Sequence, residues 1–313
     1  MQGKRIFITG GAGYLGKNLI KKWYNDNEIT VYSRDEAKHY FLKKEFPRVR
    51  FIIGDIRNED HLKIKSKGHD IGIFAASLKQ IEACEDNYEE ATEIIVRGAF
   101  NSKLAAIENN FESACFISSD KSICPTTIYG MCKALAGEAF ITDNICTSTK
   151  LSTAIYGNIA NSTGSIIPLI WDSIKHNRVM QQYGADMTRF ILTINDAINL
   201  IERSLDNNNV NVAPVARSFK ISDMFEIYAN EFNLKYTITT PRENEKIHEL
   251  MASSEHMPRM QYISEGNYYK FGKRICTNSV KLINNEYSSR DHCFSRDELY
   301  SFLATHNFYK NEA

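Results

Sequence analysis

Two pairs of residues in this 313-residue sequence have the types and spacing that proton transfer requires. Tyr129 and Lys133 stand four positions apart in a segment that predicts a helix, so their side chains share one helix face. An ammonium beside a phenol stabilises the phenolate and so lowers the pKa of the phenol. The spacing therefore predicts that Tyr129 acts as a general base toward a hydroxyl, with Lys133 as its partner.

The second pair is Asp120 and Lys121, which follow a predicted strand at 114–118. Ligands bind at the carboxyl ends of the strands in open parallel sheets. Elimination of water needs one group that protonates the departing hydroxyl and another that removes the neighbouring proton, and an adjacent acid and base supply both. The alternative interpretation is an ion pair on a solvent-exposed loop.

A glycine-rich loop near the N-terminus predicts a binding site for a dinucleotide. Gly10, Gly13 and Gly16 follow a predicted strand and lead into a predicted helix, and Tyr14 and Leu15 belong to the same loop. This spacing allows a tight turn, close approach of the backbone to a pyrophosphate, and close packing of the helix. The helix N-terminus also offers free N–H groups and the positive end of its dipole to the phosphates.

The end of the second predicted strand indicates which dinucleotide binds. NAD enzymes usually have an acidic residue there, which binds the ribose 2′-hydroxyl. This chain has Ser33 and Arg34 instead, and Lys38 follows shortly after. A guanidinium can make two parallel hydrogen bonds to a phosphate, so the sequence favours NADP over NAD. Asp35 keeps NAD open as the alternative.

The ends of the third and fourth predicted strands are expected to complete the cofactor site. Asp55 lies at the carboxyl edge of the sheet, where it can accept a hydrogen bond from the adenine amino group, and Ile56 lies beside it. Ala75 and Ala76 are small enough to let the cofactor approach the backbone. Lys133 is expected to bond the nicotinamide ribose.

These residues need a scaffold of alternating strands and helices. Short apolar runs separated by helical stretches predict a parallel sheet covered on both faces, that is, an α/β doubly wound Rossmann fold. Strands are predicted at 5–9, 29–32, 49–53, 71–74, 114–118 and 151–156, and helices at 16–24, 91–109 and 127–142. We expect residues 1–157 to form the cofactor-binding core, with a segment around 185–215 returning to it. Residues 158–313 are expected to form a smaller, partly interleaved substrate lobe.

Composition excludes several classes of partner. The 38 basic and 38 acidic residues balance, which gives no reason to expect nucleic acid or an anionic membrane as a partner. No apolar run reaches the roughly 18 residues of a membrane span, and the N-terminus lacks the features of a signal peptide. The sequence therefore predicts a cytoplasmic protein. Its histidines and cysteines have no metal-site spacing, so no metal is expected.

Taken together, the motifs resemble extended short-chain dehydrogenase/reductases of nucleotide-sugar metabolism. Within that group the chain looks most like the UDP-N-acetylglucosamine 4,6-dehydratases of polysaccharide biosynthesis, and nearest to the C5-inverting members that begin pseudaminic acid synthesis. The matching motifs are ITGGAG at 8–13, YSRDE at 32–36, GDIR at 54–57, AASLK at 75–79, SDKS at 119–122, YGMCK at 129–133, YGN at 156–158, GSIIP at 164–168, MTRF at 187–190 and EKIHE at 245–249.

The resemblance implies a reaction cycle on a nucleotide sugar. Tyr129 assists oxidation at C4 by NADP, Lys121 removes the C5 proton, and Asp120 protonates the departing C6 hydroxyl, although these last two roles can be exchanged. The hydride then returns to C6, so the cofactor is regenerated while it stays bound. The resemblance also implies a homo-oligomer, a dimer or a hexamer. Substrate contacts are expected from Lys79, Asn158, Arg189, Arg242 and Glu245.

Four positions depart from the family pattern and leave the substrate open. Ile95 replaces an Asn, Ile155 and Thr163 each replace an Arg, and Glu243 replaces a Pro. We expect these changes to lie mostly where the substrate binds, so the sugar can differ from UDP-N-acetylglucosamine. The first alternative function is a nucleotide-sugar 4-epimerase or 4-keto reductase, which needs no elimination. The second is an inactive, cofactor-binding regulatory protein.

Overall fold

A nine-stranded sheet forms the centre of the molecule in this computed structural model, which describes residues 1–142, 147–274 and 278–309. Its strand order is β14-β15-β10-β6-β5-β4-β1-β2-β3. The first six strands in the chain and β10 run parallel, whereas β15 and β14 are antiparallel additions at one edge. The strands of this sheet are β1 (Arg5–Thr9), β2 (Glu28–Ser33), β3 (Arg50–Ile53), β4 (Ile71–Phe74), β5 (Ser113–Ile117), β6 (Lys150–Ala154), β10 (Val210–Pro214), β14 (Met260–Ile263) and β15 (Tyr268–Gly272).

Helices cover both faces of the sheet, which confirms the predicted doubly wound fold. One face packs against α1, α2 and α9, and the other packs against α3, α6 and α7. A π-helical turn at Thr92–Arg97 joins α5 to α6. The helices that surround the main sheet are α1 (Tyr14–Trp23), α2 (Glu36–Glu45), α3 (Glu59–Ser66), α4 (Ile81–Asp86), α5 (Tyr88–Ala91), α6 (Gly98–Glu108), α7 (Ile128–Ile141) and α9 (Ile194–Leu205).

The later part of the chain adds three small sheets around a third hydrophobic core. That core lies between α8, α10 and α11 and includes Ile170, Phe225 and Leu303. The small sheets are β11-β9-β7, β12-β8 and β13-β16. The remaining elements are β7 (Asn158–Ile159), α8 (Ile166–Lys175), β8 (Met180–Tyr183), β9 (Thr188–Leu192), β11 (Arg217–Lys220), α10 (Ile221–Phe232), β12 (Tyr236–Thr239), β13 (Leu250–Ala252), β16 (Tyr287–Ser288) and α11 (Arg296–Thr305).

The main sheet positions the candidate site because all its parallel strands end at one edge. The loops after β1, β2, β3, β4, β5 and β6 contain most of the residues predicted to do chemistry. Strands from beyond residue 157 also join this sheet, namely β10, β14 and β15. Among the described residues, none of the helices is long and apolar enough to cross a membrane.

Candidate active site

The glycine loop leaves its backbone open toward a ligand at the end of β1. Gly10 has φ +68°, and a Cβ there would lie 2.8 Å from the backbone nitrogen of Ala76, so only glycine fits. The N-cap residue of α1 is Gly13, so no side chain caps the N–H groups at the start of this helix. The first turn of α1 also has no acidic residue. Tyr14 and Leu15 are half-buried at this helix start. Unpaired N–H groups and the positive end of a helix dipole therefore suit a pyrophosphate.

Positive charge lies beside this loop at the end of β2. Arg34 is more than half exposed, and its Nη1 lies 3.9 Å from Oδ2 of Asp55. Ser33 pairs with the buried His39 through a 2.6 Å hydrogen bond between Oγ and Nε2. Asp35 caps α2 by accepting a bond from the backbone of Lys38, and their side chains also form an ion pair of 2.6 Å. The carboxylate of Asp35 is thus engaged within its own helix turn.

The predicted adenine-side residues lie together at the ends of β3 and β4. Arg57 donates hydrogen bonds of 2.6 to 3.1 Å to both carboxylate oxygens of Asp55 and holds the pKa of that carboxyl below its ordinary value. Ile56 is buried. Ala75 and Ala76 are half-buried, and the backbone of Ala76 donates to the Thr9 hydroxyl at 3.2 Å. This part of the predicted cofactor site therefore combines the Asp55–Arg57 ion pair with backbone groups and small apolar side chains.

Asp120 and Lys121 form the first turn after β5, but they do not form a solvated loop pair. Lys121 Nζ lies 3.1 Å from Asp120 Oδ1 and 3.3 Å from Glu249 Oε1. The Asp120 side chain is 0% exposed, Glu249 is 4% exposed, and Lys121 is 21% exposed. Burial and the neighbouring Glu249 raise the pKa of Asp120, whereas the two carboxylates raise the pKa of Lys121 despite its burial. The ammonium is therefore held between two buried carboxylates.

Glu249 is itself surrounded by cations from later parts of the chain. Arg189 Nε lies 3.8 Å from Oε1 of Glu249, and Lys246 Nζ lies 3.7 Å from Oε2. Although burial opposes ionisation, Lys121, Arg189 and Lys246 lower the pKa of Glu249. Arg189 also pairs with Glu245 at 2.9 Å. Three cations and three carboxylates thus make a buried cluster whose formal charges balance.

Tyr129 lies near Asp120 and Lys121 because α7 begins close to the turn that follows β5. Thr127 caps the helix by accepting a 3.1 Å bond from the backbone of Gly130. A Cβ on Gly130 would lie 2.4 Å from the carbonyl oxygen of Lys121, so this glycine lets the helix start approach the turn. The Tyr129 side chain is 8% exposed, and burial raises its pKa to about 12 although Lys121 and Ser119 act to lower it.

The prediction that Lys133 lowers the pKa of Tyr129 is corrected by this geometry. Lys133 is buried, and its Nζ donates a 2.8 Å hydrogen bond to the carbonyl of Ile117 and lies 4.8 Å from the centre of the Phe116 ring. Burial lowers the pKa of Lys133 to about 7, so it is a weak source of positive charge near neutral pH. Among the strongest influences on the pKa of Tyr129, the cation that favours the phenolate is Lys121.

The predicted substrate ligands contact different parts of the protein, and one of them is corrected. Arg189 is 5% exposed, and its Nη1 donates to the carbonyls of Thr188 and Ile247 while its Nη2 donates to Glu245. These bonds occupy the guanidinium inside the protein, so Arg189 is better placed to hold the cluster than to bind a diphosphate. Glu245 keeps one buried oxygen, Oε2, without a hydrogen-bond partner among the described residues.

Two other predicted substrate ligands connect separate segments of the chain. Lys79, after β4, donates to the carbonyl of Thr163, and burial lowers its pKa. Arg242 lies 4.1 Å from the centre of the Tyr183 ring and 3.1 Å from Glu82 of α4. Asn158 is half-buried in β7, paired in register with β9. These three residues therefore pair with different parts of the chain.

The four departures from the family pattern fall in two different environments. Ile95 and Ile155 are 1% and 2% exposed and belong to the hydrophobic cores on the two faces of the sheet. Thr163 and Glu243 are exposed on loops. The expectation that most of these changes line the substrate site is therefore corrected for Ile95 and Ile155, whose side chains pack inside the protein.

Sequence reasoning missed Glu249 and Lys246 as residues of the site. Lys246 donates a 2.5 Å hydrogen bond to the carbonyl of Ile123, and Glu249 contacts Lys121 directly. The only sequence signal was the EKIHE motif at 245–249, whose charged residues lie far along the chain from the pairs that they contact. Their proximity follows from the packing of β13 against the turn after β5, which spacing alone does not reveal.

The chain is similar to proteins of nucleotide-sugar metabolism. A family model described as polysaccharide biosynthesis protein matches residues 6–269. UDP-N-acetylglucosamine 4,6-dehydratase (inverting) from Campylobacter jejuni is 30% identical over 91% of this chain and 86% of its own length. UDP-glucose 4-epimerase from Rickettsia bellii is 30% identical over 85% and 82%. The X-ray structure of Pen from Bacillus thuringiensis aligns with a TM-score of 0.91 at 24% identity and covers 98% of both chains.

Fold and site together define a Rossmann-fold enzyme of the extended short-chain dehydrogenase/reductase class, in the dehydratase and epimerase group that acts on nucleotide sugars. The chain belongs to the polysaccharide biosynthesis protein family, whose model matches most of its length.

Proposed function

We propose that the protein is an NADP-dependent nucleotide-sugar 4,6-dehydratase, a hydro-lyase, with UDP-N-acetylglucosamine as the first candidate substrate. The main observation is the buried contact between Lys121 and two carboxylates, close enough to Tyr129 for the Lys121 ammonium to lower the pKa of the phenol. Removal of water from a sugar needs proton transfer at C5 and C6 in addition to oxidation at C4. Inversion at C5, a role in surface-glycan synthesis and a cytoplasmic location are parts of the same proposal.

Two neighbouring groups of residues carry out different steps of the proposed reaction: Tyr129 serves the oxidation at C4, and the Asp120–Lys121 pair serves the elimination of water. A bound nicotinamide would supply reversible hydride acceptance from C4, and Gly10, Gly13 and Ala76 would let its pyrophosphate and ring approach the backbone. Tyr129 takes the proton of the C4 hydroxyl, and the Lys121 ammonium favours its phenolate. The ketone then acidifies C5, and the Asp120–Lys121 pair handles the protons of the elimination.

An epimerase is the second candidate, because relatives with that name are as similar as the dehydratases. The two reactions differ in product mass. The purified protein should be incubated with UDP-, GDP- and dTDP-sugars, and the products analysed by mass spectrometry and NMR. A 4-keto-6-deoxy product that lacks one water, formed without added NADPH, supports the dehydratase. Inversion at C4 with no loss of water would refute it, and no turnover of any sugar would favour the inactive regulatory protein.

Replacement of Arg34 by alanine tests the choice of cofactor. We expect Arg34→Ala to weaken NADPH binding about 10- to 100-fold, because a charge-assisted bond to the 2′-phosphate is lost. NADH binding should be unchanged, since NADH has no phosphate there. Fluorescence titration of the cofactor-stripped protein with each nucleotide measures both affinities. Arg48→Ala is the matched control, because Arg48 is also exposed and instead contacts Tyr24. Equal losses for NADPH and NADH would contradict the NADP assignment.

A further inference from the structure

The two carboxylates that contact Lys121 are almost fully buried, and Lys121 is the most exposed of the three groups. Its side chain is 21% exposed, against 0% for Asp120 and 4% for Glu249. Nζ lies at nearly equal distances from both carboxylates, 3.1 Å from Asp120 and 3.3 Å from Glu249. A group that acts on a sugar must be accessible at the surface, and these exposures give that access to Lys121 rather than to Asp120.

We propose that Lys121 is the only one of these three groups that touches the sugar, and that Asp120 and Glu249 are positioning carboxylates. Both hold the Nζ of Lys121, and Asp120 also stores its proton. The assignment rests on the proposed dehydratase function. It removes Asp120 from direct protonation of the departing hydroxyl. It also gives a role to Glu249, which no sequence motif of the reaction required.

Asp120 is the carboxylate that is suited to store the proton. Its Oδ2 is buried and accepts no hydrogen bond from the described residues, so only the Oδ1 half of the charge is stabilised by Lys121 and Ser119. An unsupported carboxylate in the interior takes a proton readily, and the nearby charge of Glu249 adds to that tendency. Glu249 stays ionised because Arg189 and Lys246 face it together with Lys121.

The proton movements balance within this cluster. Lys121 Nζ first passes a proton to Asp120 Oδ1 along their 3.1 Å hydrogen bond. The neutral amine then takes the C5 proton, the electron pair of that C–H bond forms the C5–C6 double bond, and the C6–O bond breaks. The same Nζ gives its new proton to the departing oxygen, which leaves as water. Asp120 finally returns the stored proton to Lys121, so the pair ends in the charge state in which it began.

The charge state of Lys121 can be measured without a substrate. The groups that face it are Asp120 on its own turn, Glu249 before β13, Arg189 on β9 and Tyr129 on α7. Trace acetylation of the cofactor-loaded enzyme across pH, read by mass spectrometry of the Lys121 peptide, reports its protonation. We expect Asp120→Asn and Glu249→Gln each to shift the labelling midpoint to lower pH by about one unit or more. An unmoved midpoint in both variants would overturn the proposal.

A 6-fluoro analogue of the sugar nucleotide tests which residue protonates the leaving group. Fluoride departs with much less need for a proton donor than hydroxide does. We expect Asp120→Asn to slow water loss about 10- to 100-fold, because the store for the Lys121 proton is lost. Glu249→Gln should slow it because Nζ is held less firmly, and the fluoro analogue should restore neither variant selectively. Selective rescue of Asp120→Asn by fluoride would mean that Asp120 touches the sugar and would overturn the assignment.

The controls separate a failed inference from a failed function. Asp70→Asn removes a carboxylate that pairs with Arg5 at the opposite edge of the sheet, and it should leave both the labelling midpoint of Lys121 and the water-loss rate unchanged. Reduction of the bound cofactor by the sugar checks that each variant remains folded. A wild-type enzyme that releases neither water nor fluoride refutes the proposed function. In that case the labelling midpoints still show whether both carboxylates stabilise the ammonium of Lys121.

Discussion

Substitution of Lys121 by arginine is expected to abolish water release, by about 10³-fold or more, while oxidation at C4 continues. Arginine keeps the positive charge between Asp120 and Glu249, so the buried carboxylates remain paired. A guanidinium does not lose its proton in proteins, however, and therefore cannot remove the C5 proton of the sugar. The variant separates the electrostatic role of Lys121 from its proton-transfer role.

Two measurements under single-turnover conditions test this expectation. Absorbance of the reduced nicotinamide reports oxidation at C4, and mass spectrometry in deuterated water reports exchange at C5 and loss of water. Lys121→Arg should accumulate reduced cofactor and a 4-keto sugar that keeps its C5 proton. Lys121→Met is expected to lose the same step and also to unfold at a lower temperature, because it leaves two buried carboxylates without their shared cation.

Lys103 provides a matched control for the burial of a lysine. Its Nζ donates bonds of 2.9 and 2.6 Å to the carbonyls of Ala139, in the last turn of α7, and Thr142, just after the helix. Lys103→Met should lower the unfolding temperature and leave the rate of water loss for the folded fraction unchanged.

Normal C5 exchange in Lys121→Arg would contradict the role assigned to Lys121.

The sequence predicted the sheet well because its signals are local. Apolar runs such as Ile71–Phe74 coincide with a buried strand. Glycines are needed after β1 where larger residues would clash with neighbouring backbone, as in other Rossmann folds. Strands β14 and β15 were not predicted. Their residues, Met260–Ile263 and Tyr268–Gly272, are rich in aromatic side chains without the flanking pattern of a βα unit, and they join the sheet antiparallel. Long-range pairing at a sheet edge leaves little local trace.

The candidate site was predicted only as far as single motifs extend. The spacing of Tyr129 and Lys133 gives a shared helix face, but it does not say that Lys133 turns to the carbonyl of Ile117. In the same way, the Asp120–Lys121 pair is visible in the sequence. The second carboxylate, Glu249, contacts Lys121 only because β13 packs against the turn after β5. Desolvation and long-range contacts set the pKa values of these groups, and neither can be read from spacing.

The reaction should also depend on Tyr129 at a step before the one that needs Lys121. Tyr129→Phe is expected to reduce the rate of C4 oxidation by about 10²- to 10⁴-fold, because phenylalanine cannot accept the hydroxyl proton. The pKa of Tyr129 is raised to about 12, so its phenolate fraction grows with pH up to that value. The rate of cofactor reduction in the wild-type enzyme should therefore rise between pH 7 and the alkaline limit of stability, and this rise should be absent from Tyr129→Phe.

A 4-keto sugar nucleotide supplied directly separates the two residues in one experiment. Because the ketone is already present, Tyr129→Phe should exchange the C5 proton with deuterated water at close to the wild-type rate. Lys121→Arg should fail to exchange it, although the same variant oxidises the ordinary substrate. If Tyr129→Phe loses C5 exchange as well, then the phenol takes part in proton transfer at C5. Oxidation at C4 and the elimination would then depend on the same residues rather than on two separate groups.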